Sequence, residues 1–226
     1  MLWRIFRILE PTFIRLYRRM NYPPVPNLLG DRDIENSWIV AHMPEGPGSA
    51  LDFGCGSGWF GLLAARKGFE VIAIDLQPVT WYYEHPSLNF FQGDLFKLNF
   101  PPEHFDLIIS CSAIEHVGLC GRYGIEIENL NGDVEAMALL KEILKPKKPM
   151  LLTIPVGEDS IVAPLHRIYG EKRLPRLLMG WEILKKEYWI KDDLNRWVLT
   201  EESIAFRKKA SKHCYGLGLF VLERPV

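Results

Sequence analysis

The sequence predicts an α/β protein whose mostly parallel sheet is covered by helices on both faces. Strand-like apolar runs alternate with helical stretches from residue 28 onward, an order that is typical of parallel sheets. Several runs are continuously apolar, as expected for strands that are buried on both faces. A glycine-rich turn joins the first strand directly to a helix, and such turns often bind nucleotides or anions.

Each predicted element follows from its own pattern. The run 49–54 (SALDFG) is short and apolar, whereas 59–68 is helical and ends at Gly68. The segment 132–146 has apolar residues at helical spacing and stops before a proline. The last two strand-like runs are expected to form an antiparallel terminal hairpin. The predicted strands after the first are 70–76, 88–95, 105–113, 149–157, 181–190 and 216–225.

Composition narrows the classes of protein that the chain can belong to. The 226 residues fit one sizeable domain with a small appendage, and 27 basic residues balance 28 acidic ones. This balance gives no reason to expect nucleic acid as a partner. The four cysteines form no C-x-x-C pair, which indicates reduced thiols and a cytoplasmic location. The histidines show no paired spacing, so no metal site is expected.

The first 27 residues differ from the rest of the chain. Five arginines but a single glutamate accompany apolar residues at helical spacing over residues 1–20, and a proline-rich stretch follows. We expect a basic amphipathic helix and a linker in 1–27, followed by the domain proper in 28–226. The helix is expected to pack on its own domain or in a homodimer; peripheral contact with an anionic membrane is the alternative.

The glycine turn over 51–61 (LDFGCGSGWFG) fits two patterns. Gly56, Gly58 and Gly61 satisfy the G-x-G-x-x-G pattern of dinucleotide sites, whereas Gly54, Gly56 and Gly58 satisfy G-x-G-x-G after Asp52. A carboxylate at this strand end would repel a pyrophosphate but attract a cationic ligand. The leading acid therefore favours S-adenosylmethionine, which carries a sulfonium and an ammonium and no phosphate.

Two more acids follow the next strands. Asp75 lies about twenty residues after the glycine turn, where a carboxylate accepts hydrogen bonds from ribose hydroxyls. Asp94 ends the following strand and is placed to accept from an adenine amino group. The predicted contacts to this cofactor are Asp52, Gly54, Cys55, Gly56, Gly58, Asp75, Leu76, Gly93, Asp94, Leu95 and Ser110.

These motifs resemble those of the class I S-adenosylmethionine-dependent methyltransferases. The stretches LDFGCGSG, VIAID, GDL and FDLIISCSAIEHV are similar to the first four family motifs, with matching spacing over about residues 50–156. The resemblance implies a Rossmann-like, seven-stranded, mostly parallel sheet with an antiparallel last strand. Pro-Lys-Lys-Pro at 146–149 departs from the usual Pro-Gly-Gly turn. The pattern SAIEHVGLCGRYG resembles an uncharacterised methyltransferase-like branch, which supplies no acceptor.

The acceptor side is predicted from the long loop over 112–133, which leaves the carboxyl end of the fourth strand. His116 is the first candidate for a general base, because imidazole titrates near neutrality. Glu115 is expected to orient His116 or to contact the cofactor. Arg122 is expected to hold an anionic group of the acceptor, and Tyr123 lies beside it.

Other polar residues have more ordinary interpretations. His166 and Arg167 follow the next strand and could close over the same cleft, although a His-Arg pair on a short helix is often structural. Asp133 is expected to cap the following helix. Cys111 is interpreted as a core residue inside its strand.

The sequence favours methyl transfer to a small-molecule or sugar acceptor, at oxygen or nitrogen. Two alternatives stay open at this point. One is a catalytically silent module that binds S-adenosylmethionine and acts through a partner surface. The other is an NAD-dependent oxidoreductase, which the weaker glycine pattern allows.

Overall fold

The computed structural model describes residues 13, 16, 30–121, 123–210 and 215–226. The expected amphipathic helix and linker therefore lie outside the described residues, apart from residues 13 and 16. Arg122 lies outside them as well. Among the described helices, none combines the length and the apolar character needed to cross a membrane.

Within the described residues, eight strands form one mixed sheet in the order β3-β2-β1-β4-β5-β10-β8-β9. The first five are parallel to one another, and the last three pair antiparallel. The strands are β1 (Gly48–Phe53), β2 (Phe69–Asp75), β3 (Leu88–Gln92), β4 (Leu107–Cys111), β5 (Pro149–Val156), β8 (Glu182–Lys191), β9 (Trp197–Thr200) and β10 (Gly216–Glu223).

The expected count of seven strands was wrong because β9 gave no recognisable pattern in the sequence. Asp192 turns the chain after β8: its Oδ1 accepts hydrogen bonds from the backbone N–H groups of Leu194 and Arg196, both at 2.9 Å. Asn195 adopts a φ of 60°, which completes the turn and returns β9 along β8. The two predicted terminal strands, β8 and β10, do pair antiparallel, but they do not form a simple hairpin, because β9 lies between them in the chain and pairs with β8 at the outer edge.

Helices cover both faces of the sheet, as predicted. The first two pack their buried side chains on one face, where Ile39 and Phe60 join the core of β1 and β4. The next two pack on the other face, where Met137 and Leu177 belong to the second core. The helices are α1 (Arg32–His42), α2 (Phe60–Arg66), α3 (Gly132–Ile143), α4 (Arg173–Leu177) and α5 (Glu202–Ala205).

A separate two-stranded hairpin follows β5. Its strands are β6 (Ser160–Val162) and β7 (His166–Ile168), which pair antiparallel across a turn that contains Pro164. The expected short helix at His166 and Arg167 was therefore wrong. Extended backbone is favoured here because apolar and β-branched residues lie on both sides of a proline turn.

The unusual turn before β5 keeps the backbone shape that a glycine would give. Lys147 adopts a φ of 58°, and its backbone N–H donates to the carbonyl of Arg224 at 2.9 Å. Its ammonium also pairs with Glu182 and Glu223, at 3.2 and 2.9 Å. A lysine therefore occupies the left-handed position in the turn where the resemblance predicts glycine.

Candidate active site

A cavity of about 850 Å³ opens at the carboxyl ends of β1 to β4. β1 and β4 are neighbours there and connect in opposite directions, which is the position where ligands bind in open α/β sheets. We call its two parts the glycine-turn half and the histidine half. The glycine-turn half is lined by residues in 52–60, 74–80 and 93–96. The histidine half is lined by Arg32, Asn36, 111–113, 116–118, Tyr123, Ile125, Asn129 and Gly132.

The glycine turn is held against β2 by backbone hydrogen bonds. The N–H groups of Gly54 and Cys55 both donate to the carbonyl of Ile74, at 2.9 and 3.1 Å. Gly54 has a φ of 67°, and a Cβ there would lie 2.4 Å from the Cβ of Ala113. Gly56 has a φ of 49°, but a Cβ there would meet nothing within 4 Å. Gly54 therefore serves the packing, whereas Gly56 leaves space for a ligand.

Asp52 lies at the base of the glycine-turn half. Its side chain is buried, and its Oδ2 accepts the backbone N–H of Gly61 at 2.8 Å. Burial raises the pKa of this carboxyl to about 7, with a smaller contribution from the nearby charge of Asp75. A cation bound in the cavity would favour the ionised form, so the site is suited to a positively charged ligand.

Asp75 ends β2 and lines the same half of the cavity. Its Oδ2 accepts the backbone N–H of Gly56, and its Oδ1 accepts that of Gln77, both at 2.9 Å. Each carboxylate oxygen keeps a further lone pair for a ligand. Asp75 thus shapes the glycine turn in addition to the expected role at a ribose.

The remaining predicted cofactor residues divide into two groups. Cys55, Gly58, Leu76, Gly93, Asp94 and Leu95 all line the cavity. Asp94 also caps the short 3₁₀ turn after β3, because its Oδ1 accepts the N–H of Phe96 at 3.1 Å. Ser110 is fully buried inside β4 and does not line the cavity. The wall at this point is formed by the end of β4 and the loop after it.

Two aromatic residues that the sequence did not single out support the glycine turn. The indole N–H of Trp81 donates to the carbonyl of Gly56 at 3.2 Å, and the hydroxyl of Tyr83 donates to that of Gly58. The two rings stack with centroids 5.3 Å apart. Their positions after β2 gave no motif, because the contacts depend on how the segment folds back.

His116 reaches the wall of the histidine half from a 3₁₀ turn after β4. Its Nδ1 lies 2.6 Å from the carbonyl oxygen of Leu165, so we assign the ring hydrogen to Nδ1. Its Nε2 lies 3.7 Å from Oε1 of Glu115. The ring of Tyr123, also on the wall, contacts it edge-on with centroids 5.3 Å apart. Nε2 is thus the nitrogen that can accept a proton.

Glu115 and His166 lie behind this wall. Glu115 is 2% exposed, and its Oε2 has no hydrogen-bond partner within the part of the chain that the structure describes. Burial raises the pKa of this carboxyl to about 8. His166 is buried on β7, with its ring centroid 6.2 Å from that of His116. Glu115 thus lies beside His116, and neither Glu115 nor His166 lines the cavity.

Arg167 on β7 holds the loop that carries His116. Its guanidinium is fully buried and donates to the carbonyls of Glu115 at 3.3 Å, Val117 at 2.6 Å and Asn129 at 3.1 Å. These bonds tie the start of the β4–α3 loop to its end. The hairpin of β6 and β7 thus holds the loop through Arg167 and through the carbonyl of Leu165.

Asp133 does not cap α3, which corrects the expectation. It is the second residue of that helix and is fully buried. Its carboxylate accepts two hydrogen bonds from Arg173, at 2.6 and 3.0 Å, and one from the hydroxyl of Tyr169 at 2.9 Å. It also lies 3.7 Å from Nε of Arg167. Asp133 therefore links α3 to α4 and β7.

Helix α1 contributes polar residues that the sequence did not reveal. Arg32 and Asn36 line the histidine half, and Glu35 between them is fully buried. Cys111, interpreted from sequence as core, ends β4 on the cavity wall, 3.1 Å from Nη1 of Arg32. The position of Cys111 at a strand end was a usable signal. The approach of α1 was not, because it depends on tertiary packing.

The residues around the glycine turn fit S-adenosylmethionine. Three strand-end carboxylates line this half, at Asp52, Asp75 and Asp94, and the bare backbone at Gly56 leaves room beside them. The buried Asp52 suits a cationic ligand and opposes a pyrophosphate. The cavity volume is in the range of small-molecule sites. These observations agree with the expected cofactor.

Comparisons with known proteins agree with this interpretation. The family model described as "Methyltransferase domain" matches residues 50–122. A ubiquinone biosynthesis O-methyltransferase of Rickettsia akari is 31% identical over 117 residues, which are 48% of this chain and 45% of that protein. A human lysine N-methyltransferase named for its action on ATP synthase is 30% identical over 105 residues, 42% of this chain and 43% of that protein. The chain thus spans less than half the length of these curated relatives.

The fold is shared with solved structures. The Burkholderia thailandensis 1,6-didemethyltoxoflavin-N1-methyltransferase, solved with S-adenosylhomocysteine, has a TM-score of 0.56 at 14% identity, covering 98% of this chain and 89% of that one. At such identity the likeness shows the fold alone. Together with the methyltransferase-domain match, it supports S-adenosylmethionine as the cofactor.

A second family model covers more than half of the chain. It matches residues 97–220 and is described as "Caenorhabditis protein of unknown function, DUF268". This range includes the loop of His116, the hairpin of β6 and β7, and the antiparallel strands. The chain therefore belongs to this DUF268 family, within the class I S-adenosylmethionine-dependent methyltransferase superfamily.

Proposed function

We propose that the protein transfers a methyl group from S-adenosylmethionine to a small-molecule acceptor, at oxygen or nitrogen. The observation that carries the proposal is the shared cavity: strand-end acids and a bare glycine backbone form one half, and His116 lies on the wall of the other. Methyl transfer needs this adjacency, because cofactor and acceptor must meet in line.

The cofactor is assigned to the glycine-turn half. Asp52 and Asp75 would hold it through its cationic amino-acid part and its ribose, and Asp94 through its adenine. S-adenosylmethionine supplies a methyl group on a cationic sulfur, which is already activated for displacement. The protein's remaining task is to align the acceptor and to remove its proton.

His116 is the proposed proton acceptor. The carbonyl of Leu165 holds the hydrogen on Nδ1, so Nε2 is the nitrogen that carries the basic lone pair. A protonated His116 would favour ionisation of Glu115, whose Oε1 lies 3.7 Å from Nε2.

The walls of the histidine half favour a small acceptor. α1 contacts the loop after β4, and that loop contacts the hairpin, through buried polar bonds, so the wall of this half is held from both sides. Two of the similar proteins are named for their acceptors: one methylates 1,6-didemethyltoxoflavin, and the other methylates a protein lysine. The cavity volume of about 850 Å³, in the range of small-molecule sites, is our reason for preferring the small molecule.

Methyl transfer can be tested by incubating the protein with radiolabelled S-adenosylmethionine and a metabolite extract. The expected result is a labelled small molecule and release of S-adenosylhomocysteine. His116→Gln is expected to slow this turnover about 10²–10⁴-fold, the usual contribution of a general base. The affinity of this variant for S-adenosylhomocysteine is expected to stay within about twofold of the original, because His116 does not line the glycine-turn half.

His104→Gln is the matched control. His104 precedes β4 at the opposite end of the strand and does not line the cavity. Cofactor binding without label in any acceptor would favour the silent module. Binding of NAD in place of S-adenosylhomocysteine would favour the oxidoreductase. If His116→Gln turns over at the original rate, His116 is not the base.

A further inference from the structure

Arg32 is fixed at the wall of the histidine half. It is the first residue of α1, and its side chain is 53% exposed toward the cavity and solvent. One guanidinium nitrogen, Nη1, donates to Oε2 of Glu35 at 2.7 Å and lies 3.1 Å from Sγ of Cys111. These contacts set the direction of an otherwise flexible side chain.

Glu35, which holds Arg32, is not accessible to a ligand, because it is buried and does not line the cavity. It is fully buried, and its Oε1 accepts hydrogen bonds from the hydroxyls of Ser112 and of Thr153, the latter at 2.6 Å. Both carboxylate oxygens are thus used within the protein. Glu35 acts as a buried support for the guanidinium rather than as a group that faces the acceptor.

The rest of the Arg32 guanidinium lacks partners in the described part of the chain. Its side-chain bonds there involve Nη1, and the N–H groups on Nε and Nη2 have no partner among the described residues. A guanidinium carries five donors in a planar fork that matches an oxyanion. Neighbouring unused donors at the wall of a cavity are therefore suited to a carboxylate or phosphate.

The acidic and basic side chains of the cavity lie in different halves. Its acidic lining residues, Asp52, Asp75 and Asp94, belong to the glycine-turn half. Among the described residues of the wall, Arg32 is the sole lysine or arginine, and it lies in the histidine half. An acceptor there meets a cation on the protein side, next to a cationic cofactor.

Two other acids near Arg32 do not reverse this balance. Asp31 accepts the hydroxyl hydrogen of Tyr215 at 2.8 Å and does not line the cavity. Glu115 lies behind the wall, and burial raises its pKa to about 8, which leaves it mostly neutral at pH 7. The cavity surface at this point is dominated by the guanidinium.

We propose that the acceptor is an organic anion whose carboxylate or phosphate binds Arg32. Asn36, one turn further along α1, lies on the same wall and can donate an amide N–H to the same group. The inference rests on the proposed function, because it names the acceptor class of that site. It assigns to Arg32 the part that the sequence suggested for Arg122.

The test uses nuclear magnetic resonance of the arginine side chains in the full chain, saturated with S-adenosylhomocysteine. Sodium acetate, inorganic phosphate and neutral acetamide are titrated separately at constant ionic strength. Arg32→Lys identifies the Nε–H signal of Arg32, since that signal alone disappears. The expected result is a saturable shift of this signal with acetate or phosphate and none with acetamide.

Arg32→Gln should weaken the binding of acetate at this site at least about tenfold, as seen in the amide signal of Asn36, because it removes a charge-assisted pair. Arg66→Gln, which changes an exposed arginine at the end of α2, should leave binding unchanged. A linear, non-saturating response, or an equal response to acetamide, overturns the proposal. Failure of S-adenosylhomocysteine to bind at the outset would instead count against the proposed function.

Discussion

The glycine-turn half of the cavity is built from consecutive strand ends, whereas the histidine half is built from segments that are far apart in the chain. In the first, backbone groups of Gly54 and Cys55 bond directly to β2, and Asp75 follows at the end of that strand. In the second, α1, the β4–α3 loop and the hairpin of β6 and β7 meet through buried polar side chains. The cofactor site is thus part of the sheet itself, and the acceptor site is assembled around it.

This difference leads to different expectations for mutations. Changes in the histidine half should loosen an assembled wall and leave cofactor binding nearly intact. Changes in the glycine-turn half should affect cofactor binding first. We expect the strongest effects at Arg167 and at the glycine turn, and weaker ones at Asp75 and Asp52.

Arg167→Met should lower the free energy of unfolding by about 3–5 kcal/mol, the usual cost of breaking a buried charged contact. Three loop carbonyls lose their donor, and Asp133 loses a neighbouring cation. Hydrogen exchange in residues 112–131 should accelerate more than in β1 or β2. Denaturant unfolding and exchange mass spectrometry measure both effects.

Arg167→Lys keeps the charge but not the planar fork, so its loss should be smaller. Arg196→Met, in the exposed turn after β8, is the control and should change unfolding by no more than about 0.5 kcal/mol. Equal acceleration of exchange in β1 and in the loop would show that Arg167 supports the whole fold rather than this wall.

Gly54→Ala should destabilise the protein by about 2–4 kcal/mol, from left-handed backbone strain and from a clash with Ala113. Gly56→Ala has similar strain but no clash, so its cost in stability should be about 1–2 kcal/mol. The added methyl group of Gly56→Ala should instead occupy space needed by the cofactor and weaken the binding of S-adenosylhomocysteine. Thermal unfolding and calorimetric titration separate the two effects. Indistinguishable behaviour of the pair would contradict their different roles.

Asp75→Ala should weaken the binding of S-adenosylhomocysteine by about 1–3 kcal/mol, because the ribose hydroxyls and the N–H of Gly56 lose their acceptor. Asp75→Asn keeps one acceptor oxygen and should lose less. Glu70→Ala, an exposed change at the other end of β2, serves as the control. If Asp75→Ala leaves the dissociation constant unchanged, the ribose does not bind at this strand end.

Binding of S-adenosylmethionine should tighten about tenfold between pH 6 and pH 8, because the Asp52 carboxyl, whose pKa is about 7, must lose its proton to pair with the cation. Calorimetry in two buffers should also show proton release. Asp52→Asn should bind more weakly and should lose this pH dependence. A pH profile that is the same in both proteins would exclude Asp52 as the titrating group.

The raised pKa of Asp52 also determines how the stability of the ligand-free protein changes with pH. The folded state keeps a proton on Asp52 at pH values between its ordinary pKa of 3.8 and about 7, where the unfolded chain has lost it. Its contribution to stability is therefore full at low pH and falls as the pH rises through this window. Asp52→Asn should reduce that decline in unfolding experiments.

The sequence predicted the glycine-turn half well because its signals are local. A strand end, a turn and an acid lie within a few residues of one another, and the order of strands brings them together. Ser110 was the exception, because its side chain is fully buried and does not line the cavity. The same local signals predicted the parallel sheet and its helices.

The histidine half was predicted only in part, for a physical reason. His116 and Tyr123 were found because their loop leaves a predicted strand end. The sequence did not reveal Arg32, Glu35 or the loop contacts of Arg167, because their roles depend on packing between distant segments. The partners of Glu35 in the β4 and β5 region are 77 or more positions away, and the loop partners of Arg167 are 38 or more positions away. β9 was missed because four residues after a tight turn give little pattern.

We infer that the glycine turn receives an adenosyl cofactor without phosphates. A calorimetric titration of the wild-type protein with S-adenosylhomocysteine, repeated in the presence of excess NAD, tests it most directly. We expect one saturable binding event for S-adenosylhomocysteine whose affinity NAD leaves unchanged. Binding of NAD that excludes S-adenosylhomocysteine would instead show that the turn takes a dinucleotide.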